Sequence, residues 1–338
     1  MNKKILILGI NGFIGSNLAE RILADTDWNV YGLDLGSDKI TAFLDHKRMH
    51  FTRGDMTKSS DWLDQHIALA DVVLPLAAIA NPLVYVQDPL RVFELDFEAN
   101  LDIVKRCHFH KTRVVFPSTS EVYGMSTDAE FDEDNTALVT GPIHMQRWIY
   151  SCSKQMLDRV IYAYGKHRGL QYTLFRPFNW IGPKLDNVFE ESASKSRVVS
   201  KFLSQIVRGE NIELVDGGQQ RRAFTYIDDG ISALMKIIEN TNGCADNEIF
   251  NIGNPNNDLS IGELAKSILD LAKTYPKYQE SAAKVQITNV DSAQHYGAGY
   301  QDVAARVPAI HNAKNKLGWQ PEVDMDKALR LTLDYYLL

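Results

Sequence analysis

The segment Gly9-Ile-Asn-Gly12-Phe-Ile-Gly15 constrains this chain more than any other, because of what stands on either side of it. Lys4–Leu8 before it is apolar nearly throughout, as in a parallel strand covered on both faces. Residues 13–24 after it carry Ile14, Leu18 and Ile22 at helical spacing. Glycines at such a junction permit a tight turn, close approach of backbone to a pyrophosphate, and close packing of helix on strand. The helix N-terminus, at Phe13 and Ile14, then directs free N–H groups at phosphate. Residues 29–33 read as a second strand and complete a βαβ unit. Asp34 ends that strand nineteen residues after Gly15, placed to accept from ribose hydroxyls and to repel a 2′-phosphate. NAD is therefore the expected cofactor rather than NADP. Asp55, after Gly54 at the end of the next strand, is a candidate acceptor for the adenine amine.

Further strands are expected at 50–53, 71–76, 113–117 and 172–176, with helices between them at 96–107 and 151–167. Such alternation argues for an α/β fold with an open, doubly wound parallel sheet of the Rossmann kind. The texture changes after Phe178. Residues 182–187 are loop-like, 192–197 polar and short-sided, and 201–207 amphipathic; 214–218 reads as a strand into a turn. Strands at 223–227 and 249–253 and helices at 231–239 and 261–271 follow, then a weakly patterned stretch at 275–305 and a helical tail. The expected organisation is an NAD-binding Rossmann domain of 1–182 plus 223–253, and a smaller C-terminal substrate lobe of 183–222 plus 254–338.

With 338 residues and 45% hydrophobic content the chain can bury a large core. A net charge of −7 argues against a nucleic-acid partner, and an anionic substrate would need a local basic site. Cys107, Cys152 and Cys244 form no Cys-x-x-Cys, and there is no His-Glu-x-x-His, so reduced core thiols in a cytoplasmic protein and no metal site are expected. The N-terminal apolar run is too short for a signal segment, and no stretch is long enough to span a membrane.

The chemistry concentrates in Thr119-Ser120-Glu121 and in Tyr150-x-x-x-Lys154. Tyr and Lys four residues apart share one helix face. An ammonium beside a phenol favours the phenolate, whose ordinary pKa is near ~10, and yields a general base for a sugar hydroxyl.

Together the glycine turn, Thr119 after the fifth strand and the Tyr-Lys pair resemble the extended short-chain dehydrogenase/reductase family. Leu76-Ala-Ala78, Asn100, Arg176-Pro177, Asn251-Ile-Gly253 and Leu317-Gly-Trp319-x-Pro321 match its landmarks. Within the family, residues 116–125, 175–180 and 300–303 with Arg306 are similar to UDP-glucuronate decarboxylases, which make UDP-4-keto-pentose or UDP-xylose. The resemblance implies that Tyr150, helped by Lys154 and Thr119, deprotonates the sugar 4-hydroxyl while the C4 hydride passes to NAD. The resulting β-keto acid loses carbon dioxide, and C5 is protonated through Glu121 or a water. Arg306 is implied to grip the carboxylate and steady the enolate, with Ser120 bonding the carboxylate. UDP-sugar binding is carried over to Ala80, Tyr85, Ser120, Arg147, Asn179, Arg197, Arg222 and Tyr300, and cofactor contact to Met56, Tyr150 and Lys154. Arginines suit the diphosphate because their planar fork donates two hydrogen bonds at once.

A sugar-nucleotide 4-epimerase or 4,6-dehydratase is the alternative. Dehydratases of the family place Asp where Ser120 stands, and plain epimerases usually lack the glutamate, so the triplet favours decarboxylation. Two departures leave room for a different sugar: Glu213 replaces a family Lys, and Ala304 and Ala305 make the approach to Arg306 small and uncharged. Nothing in the chain corresponds to the formyltransferase domain to which such decarboxylases can be fused; if the chain serves lipid A modification, that activity is expected from another protein, and a free-standing enzyme making UDP-xylose or a keto-pentose is equally compatible. A homodimer formed through helices such as 96–107 and 151–167 is also implied.

Overall fold

The computed structural model describes residues 2–190, 197–297 and 299–338. Of the polar stretch 192–197, Arg197 alone falls among the described residues. Six strands alternate with helices through the first half: β1 Lys4–Leu8, β2 Asn29–Asp34, β3 Met49–Arg53, β4 Val72–Pro75, β5 Arg113–Pro117 and β6 Tyr172–Pro177. Short strands follow as β7 Trp180–Ile181, β8 Ile212–Val215, β9 Arg221–Ala223 and β10 Thr225–Tyr226. Then come β11 Glu248–Ile252, β12 Asp258–Ser260, β13 Ile287–Val290 and β14 Ala305–Arg306. The main sheet has the order β11-β6-β5-β4-β1-β2-β3, and every pairing in it is parallel. This is the doubly wound α/β fold expected.

Alternation along β1 shows how the sheet is covered. Ile5 and Ile7 point into one apolar core and Leu6 and Leu8 into the other, all four fully buried. The first core contains buried residues of α1 Phe13–Asp25, and the second those of α2 Ser60–Leu69, a helix the sequence pattern did not single out. Proline opens both α3 Pro82–Gln87 and α4 Pro89–Phe93, with Asn81 and Asp88 accepting first-turn N–H groups as caps. A π-helical turn, Glu94–Ala99, joins α4 to α5 Asn100–His110. The long helix α6 Trp148–Arg168 ends at Gly169 in the left-handed conformation (φ 72°). Cys107 is buried in the second core, but Cys152 on α6 is exposed, which corrects the expectation of core thiols.

Beyond β6 the pieces are small. Helix α7 Val198–Arg208 precedes β8, which pairs in parallel with β13. Strand β9 is the centre of a three-stranded sheet, antiparallel to β12 and parallel to β14. The strand expected at 223–227 is instead the end of β9 followed by β10, with helix α8 Ile227–Glu239 starting earlier than its apolar spacing suggests. Asp228 and Asp229 explain the early start, since carboxylates in a first turn complement the helix dipole. Helix α9 Ile261–Ala272 opens on a reciprocal capping box between Ser260 and Glu263. The weakly patterned stretch holds the helix Gln279–Lys284, β13 and the helix Ser292–Tyr296. Its pattern is weak because β13 has one neighbour and half-covered side chains.

A buried polar chain runs beneath the β5 loop. Ser118 Oγ and Arg176 Nη2 donate to Asp158 Oδ2 at 2.7 and 3.1 Å, and Arg176 Nη1 donates to the Tyr123 hydroxyl at 2.8 Å. That hydroxyl donates to Asn251 Oδ1 at 2.8 Å, and the Asn251 N–H donates to Glu133 Oε1 at 2.7 Å. Burial pushes the Glu133 carboxyl up to about 7. The native state therefore keeps a proton that the unfolded chain loses near its ordinary 4.5, so stability falls as pH rises between these values. Glu133→Gln retains the acceptor for Asn251 and should abolish that decline. Denaturation midpoints should show the variant more stable than the parent by about 3 kcal/mol at pH 8 and nearly equal to it at pH 4.5. An unchanged pH slope would refute the assignment.

Candidate active site

Strand β1 lies between β4 and β2 in the sheet, so chain connections diverge there and open a crevice at the carboxyl ends of the strands. A cavity of about 1230 Å³ runs along this edge, bordered by Gly9 after β1, Leu76 after β4, Pro117 of β5 and Pro177 of β6. Gly9 adopts φ +85°, and a Cβ there would sit 2.7 Å from the Ala77 nitrogen. A Cβ on Gly15 would meet the Gly9 carbonyl oxygen at 2.5 Å and Ile10 Cα at 2.8 Å. Backbone fills the space a side chain would need, so glycine is required at both positions. Gly12 begins α1 without a side-chain cap, which leaves first-turn N–H groups for a ligand. Asp34 Oδ2 accepts the Asn11 N–H at 2.8 Å, tying the carboxylate at the end of β2 to the glycine turn. These features fit a dinucleotide.

Other cofactor expectations fall differently. Asp34, Asp55 and Met56 lie outside the cavity lining. Asp55 Oδ1 accepts from the Thr57 N–H and hydroxyl at 2.9 and 2.7 Å, which engages it in its own turn, and Met56 packs into the second core. Arg197, carried over as a sugar-nucleotide residue, sits 5.3 Å over the Phe13 ring and pairs with Asp186 at 2.8 Å. It borders the cavity beside the glycine turn.

The reactive end is assembled from four elements. Thr119 follows β5 and starts the 3-10 turn Ser120–Tyr123, its hydroxyl accepting the Glu121 N–H at 3.1 Å. Ser120 is buried there and borders the cavity. Arg147, just before α6, donates to Glu121 Oε2 at 2.5 Å and to the Gln301 carbonyl at 2.7 Å. Arg306 on β14 donates to Glu121 Oε1 at 2.6 Å. The β9–β14 register sets Arg306 opposite Arg222, so a third guanidinium lies alongside. Arg222 itself pairs with Asp302 at 2.7 Å, whereas Arg221 points the other way to Asp258 and Glu263. Ala305 lies in β14, so the small residues before Arg306 do not make its segment irregular.

Glu121 is half-buried and desolvated, which alone would raise its pKa, but Arg147, Arg306 and Arg222 hold it down at about 2. These guanidiniums hold it as an anion at neutral pH. Tyr300 stacks on Tyr296 with ring centres 4.0 Å apart and lies 5.4 Å from the Arg147 guanidinium. Asn179, in the left-handed region (φ 41°), donates to the Ala223 carbonyl at 3.0 Å, and Ala80 borders the cavity. Tyr85 stacks on Tyr150 at 4.7 Å with 9° between the rings.

Tyr150 and Lys154 share the inner face of α6, both buried. The net shift of the phenol in this arrangement is nevertheless upward. Burial, then Asp96 and Glu121, push the Tyr150 pKa upward, against a lowering hydrogen bond with Thr119. Lys154 Nζ instead donates to the Pro117 carbonyl at 3.2 Å and faces Asp96 Oδ1 at 3.5 Å. Sequence reasoning passed over Asp96 and singled out Asn100, whose amide donates to the Leu95 carbonyl at 2.9 Å. The stripe Val92, Asp96, Asn100, Val104, Cys107 at helical spacing would have placed both polar residues on the buried face.

The family model for the NAD-dependent epimerase/dehydratase family matches residues 5–253. The chain belongs to that family, whose cofactor is NAD. Among solved structures it is similar to the PbgP3 protein from Burkholderia pseudomallei, at 54% identity over 100% of this chain and 97% of that one, TM-score 0.91. UDP-glucose 4-epimerase from Thermotoga maritima, solved with UDP-glucose, shares the fold at 23% identity over 98% of each chain, TM-score 0.81. So does the dTDP-glucose 4,6-dehydratase DesIV from Streptomyces venezuelae, solved with NAD and TYD, at 20% identity over 98% of this chain and 96% of that one, TM-score 0.82.

Glu121 balances two guanidiniums that are themselves almost wholly buried. Glu121→Gln should therefore cost about 3 kcal/mol or more of stability at pH 7, read from a denaturant midpoint. A midpoint equal to the parent's would mean that the arginines are neutralised elsewhere.

Proposed function

We propose that this protein is an NAD-dependent UDP-glucuronate decarboxylase, of the kind its sequence resembles in the decarboxylase domain of the bifunctional polymyxin-resistance enzyme. The observation that carries the reading is the pair of buried guanidiniums, Arg147 and Arg306, converging beside Thr119 and Tyr150. A sugar carrying a C6 carboxylate finds cations there. Ser120 stands at the position where expulsion of a hydroxyl would call for an acid.

Bound NAD supplies the acceptor for the C4 hydride and a positive charge in the pocket. Tyr150 takes the proton of the 4-hydroxyl, with the Thr119 hydroxyl stabilising the phenolate. The 4-keto acid then loses carbon dioxide, and its electrons pass to an enolate on O4. Tyr150, now protonated, donates to that oxygen, and Arg306, which borders the same cavity, shares in the negative charge. Glu121 acts as the anion that holds Arg147 and Arg306 in place, and the C5 proton comes from water. Arg222, Tyr300 and Asn179 are assigned to the UDP moiety, together with Arg197, Ala80 and Tyr85. The cofactor is assigned to residues 1–182 plus 223–253 and the sugar nucleotide to 183–222 plus 254–338. Exposed Phe109 on α5 and Met156 and Tyr162 on α6 support a homodimer through these helices. A cytoplasmic location accords with the reduced thiols and the sugar-nucleotide substrate.

The test is incubation of the purified protein with UDP-glucuronate and NAD, following carbon dioxide, NADH absorbance and the sugar nucleotides by NMR. NADH accumulating with a UDP-4-keto-pentose indicates release of the intermediate, and UDP-xylose without net NADH indicates return of the hydride. Untouched UDP-glucuronate alongside conversion of a neutral UDP- or dTDP-hexose would favour the epimerase or dehydratase alternative. Tyr150→Phe should lower kcat by about 10²–10⁴-fold while leaving NAD binding within a few-fold of the parent.

A further inference from the structure

We propose that Asp96 is a positioning residue of the reaction: it governs how much of the Lys154 charge is felt at Tyr150. The proposal rests on Tyr150 being the base of the reaction above. Four acidic or phenolic groups face the Tyr150–Lys154 pair, each from a different direction. Glu121 comes from the β5 loop, Asp158 from α6 itself, Tyr85 from α3 and Asp96 from the π-helical turn. Two of the three carboxylates are neutralised by arginine, Glu121 by Arg147 and Arg306, and Asp158 by Arg176 at 3.1 Å. Asp96 pairs with no arginine among the described residues. Among the described residues its ion-pair partner is Lys154.

The geometry of that pair is loose for a definite reason. Asp96 is fully buried, and its Oδ2 accepts the Ile79 N–H at 2.9 Å. Anchored there, Oδ1 reaches only to 3.5 Å from Lys154 Nζ and makes no hydrogen bond. The ammonium is thus shared among Asp96, the Pro117 carbonyl at 3.2 Å, and Tyr150, whose ring centre is 5.8 Å away. Burial penalises an unpaired charge on either partner, which keeps the pair together. The carboxylate that pairs with Lys154 therefore cancels much of its field at the phenol, and adds its own charge against phenolate formation, while Asp158 also favours the ammonium. Ile79 and its neighbour Ala80 also border the cavity, so the anchor of Asp96 is part of the substrate wall.

Asp96→Asn removes the charge, keeps the size, and keeps an oxygen for the Ile79 N–H. The protein saturated with NAD is titrated by its tyrosinate absorbance, with Tyr150→Phe subtracted in each background to isolate Tyr150. The band should appear at least one pH unit lower in Asp96→Asn than in the parent, a tenfold change in proton affinity. The basic pH dependence of kcat/KM should move in the same direction. Asp96→Ser serves where the asparagine variant does not fold. A folded variant that is merely less stable, with its tyrosinate transition unmoved, overturns the proposal. The absorbance readout needs no sugar nucleotide. A parent that leaves UDP-glucuronate untouched would defeat the decarboxylase reading, and the tyrosinate shift would still decide the role of Asp96.

Discussion

Two guanidiniums from distant parts of the chain close on one carboxylate, and the reactive end of the cavity depends on that contact. Arg147 arrives at the start of α6, Arg306 on a two-residue strand near the C-terminus, and Glu121 on the turn after β5. None of the three is held by the main sheet alone. The pairing of β14 with β9 brings Arg306 beside Arg222, and the Gln301 carbonyl fixes Arg147 from the same late segment. Desolvating such groups is costly unless each charge is matched. Glu121 matches two of them and is in turn kept ionised by them. The loop bearing Thr119 and Ser120 is thereby locked to the late segment that carries Gln301 and Arg306.

The same constraint explains the rest of the buried chemistry. Arg176 stands between Asp158 and Tyr123 and continues to Asn251 and Glu133, so the floor under the reactive loop is a linked series of polar groups. Lys154 is matched by Asp96, which pairs with no arginine among the described residues. Around Tyr150 the balance is therefore set by which carboxylates are discharged and by what. The phenol of the unliganded protein is held protonated, and the cofactor turn at Gly9, Gly12 and Gly15 is shaped by backbone contacts that do not depend on any of these charges. The shape of the glycine turn and the charge balance around Tyr150 are separable properties of this fold.

The main sheet was legible because its strands are apolar runs and its helices periodic, and both signals are local. Glycine at 9, 12 and 15 was legible for a related reason, since a missing side chain states its own constraint. What escaped was set by partners distant in sequence. The early start of α8 follows from acidic residues at its first turn, and Asp229 goes on to accept the N–H groups of Glu322 and Val323, some ninety residues away. The place of Arg197 beside Phe13 follows from Asp186. Asp96 was hidden by its type: an acid in a helical stretch reads as a solvated face, and only the buried stripe on which it falls says otherwise. The lowering of the Tyr150 pKa by Lys154 was read from spacing, which reports which side chains are near but not which other charges share them.

Glu213 shows the same gap between position and space from the other side. Compared position by position, an anion there removes a cation from the wall of a pocket meant for a diphosphate. In the folded chain Glu213 Oε2 lies 3.4 Å from Lys201 Nζ, on the facing helix α7, and Lys201 Nζ lies 3.2 Å from His295 Nε2. All three border the cavity. Burial and the neighbouring Lys201 lower the pKa of His295, so its imidazole is neutral at pH 7 and accepts from the ammonium. The wall therefore carries one cation and one anion, and the charge that the strand lacks is present on the helix. The anion on the strand is thus matched by the cation on the helix, and that stretch of wall carries no net charge.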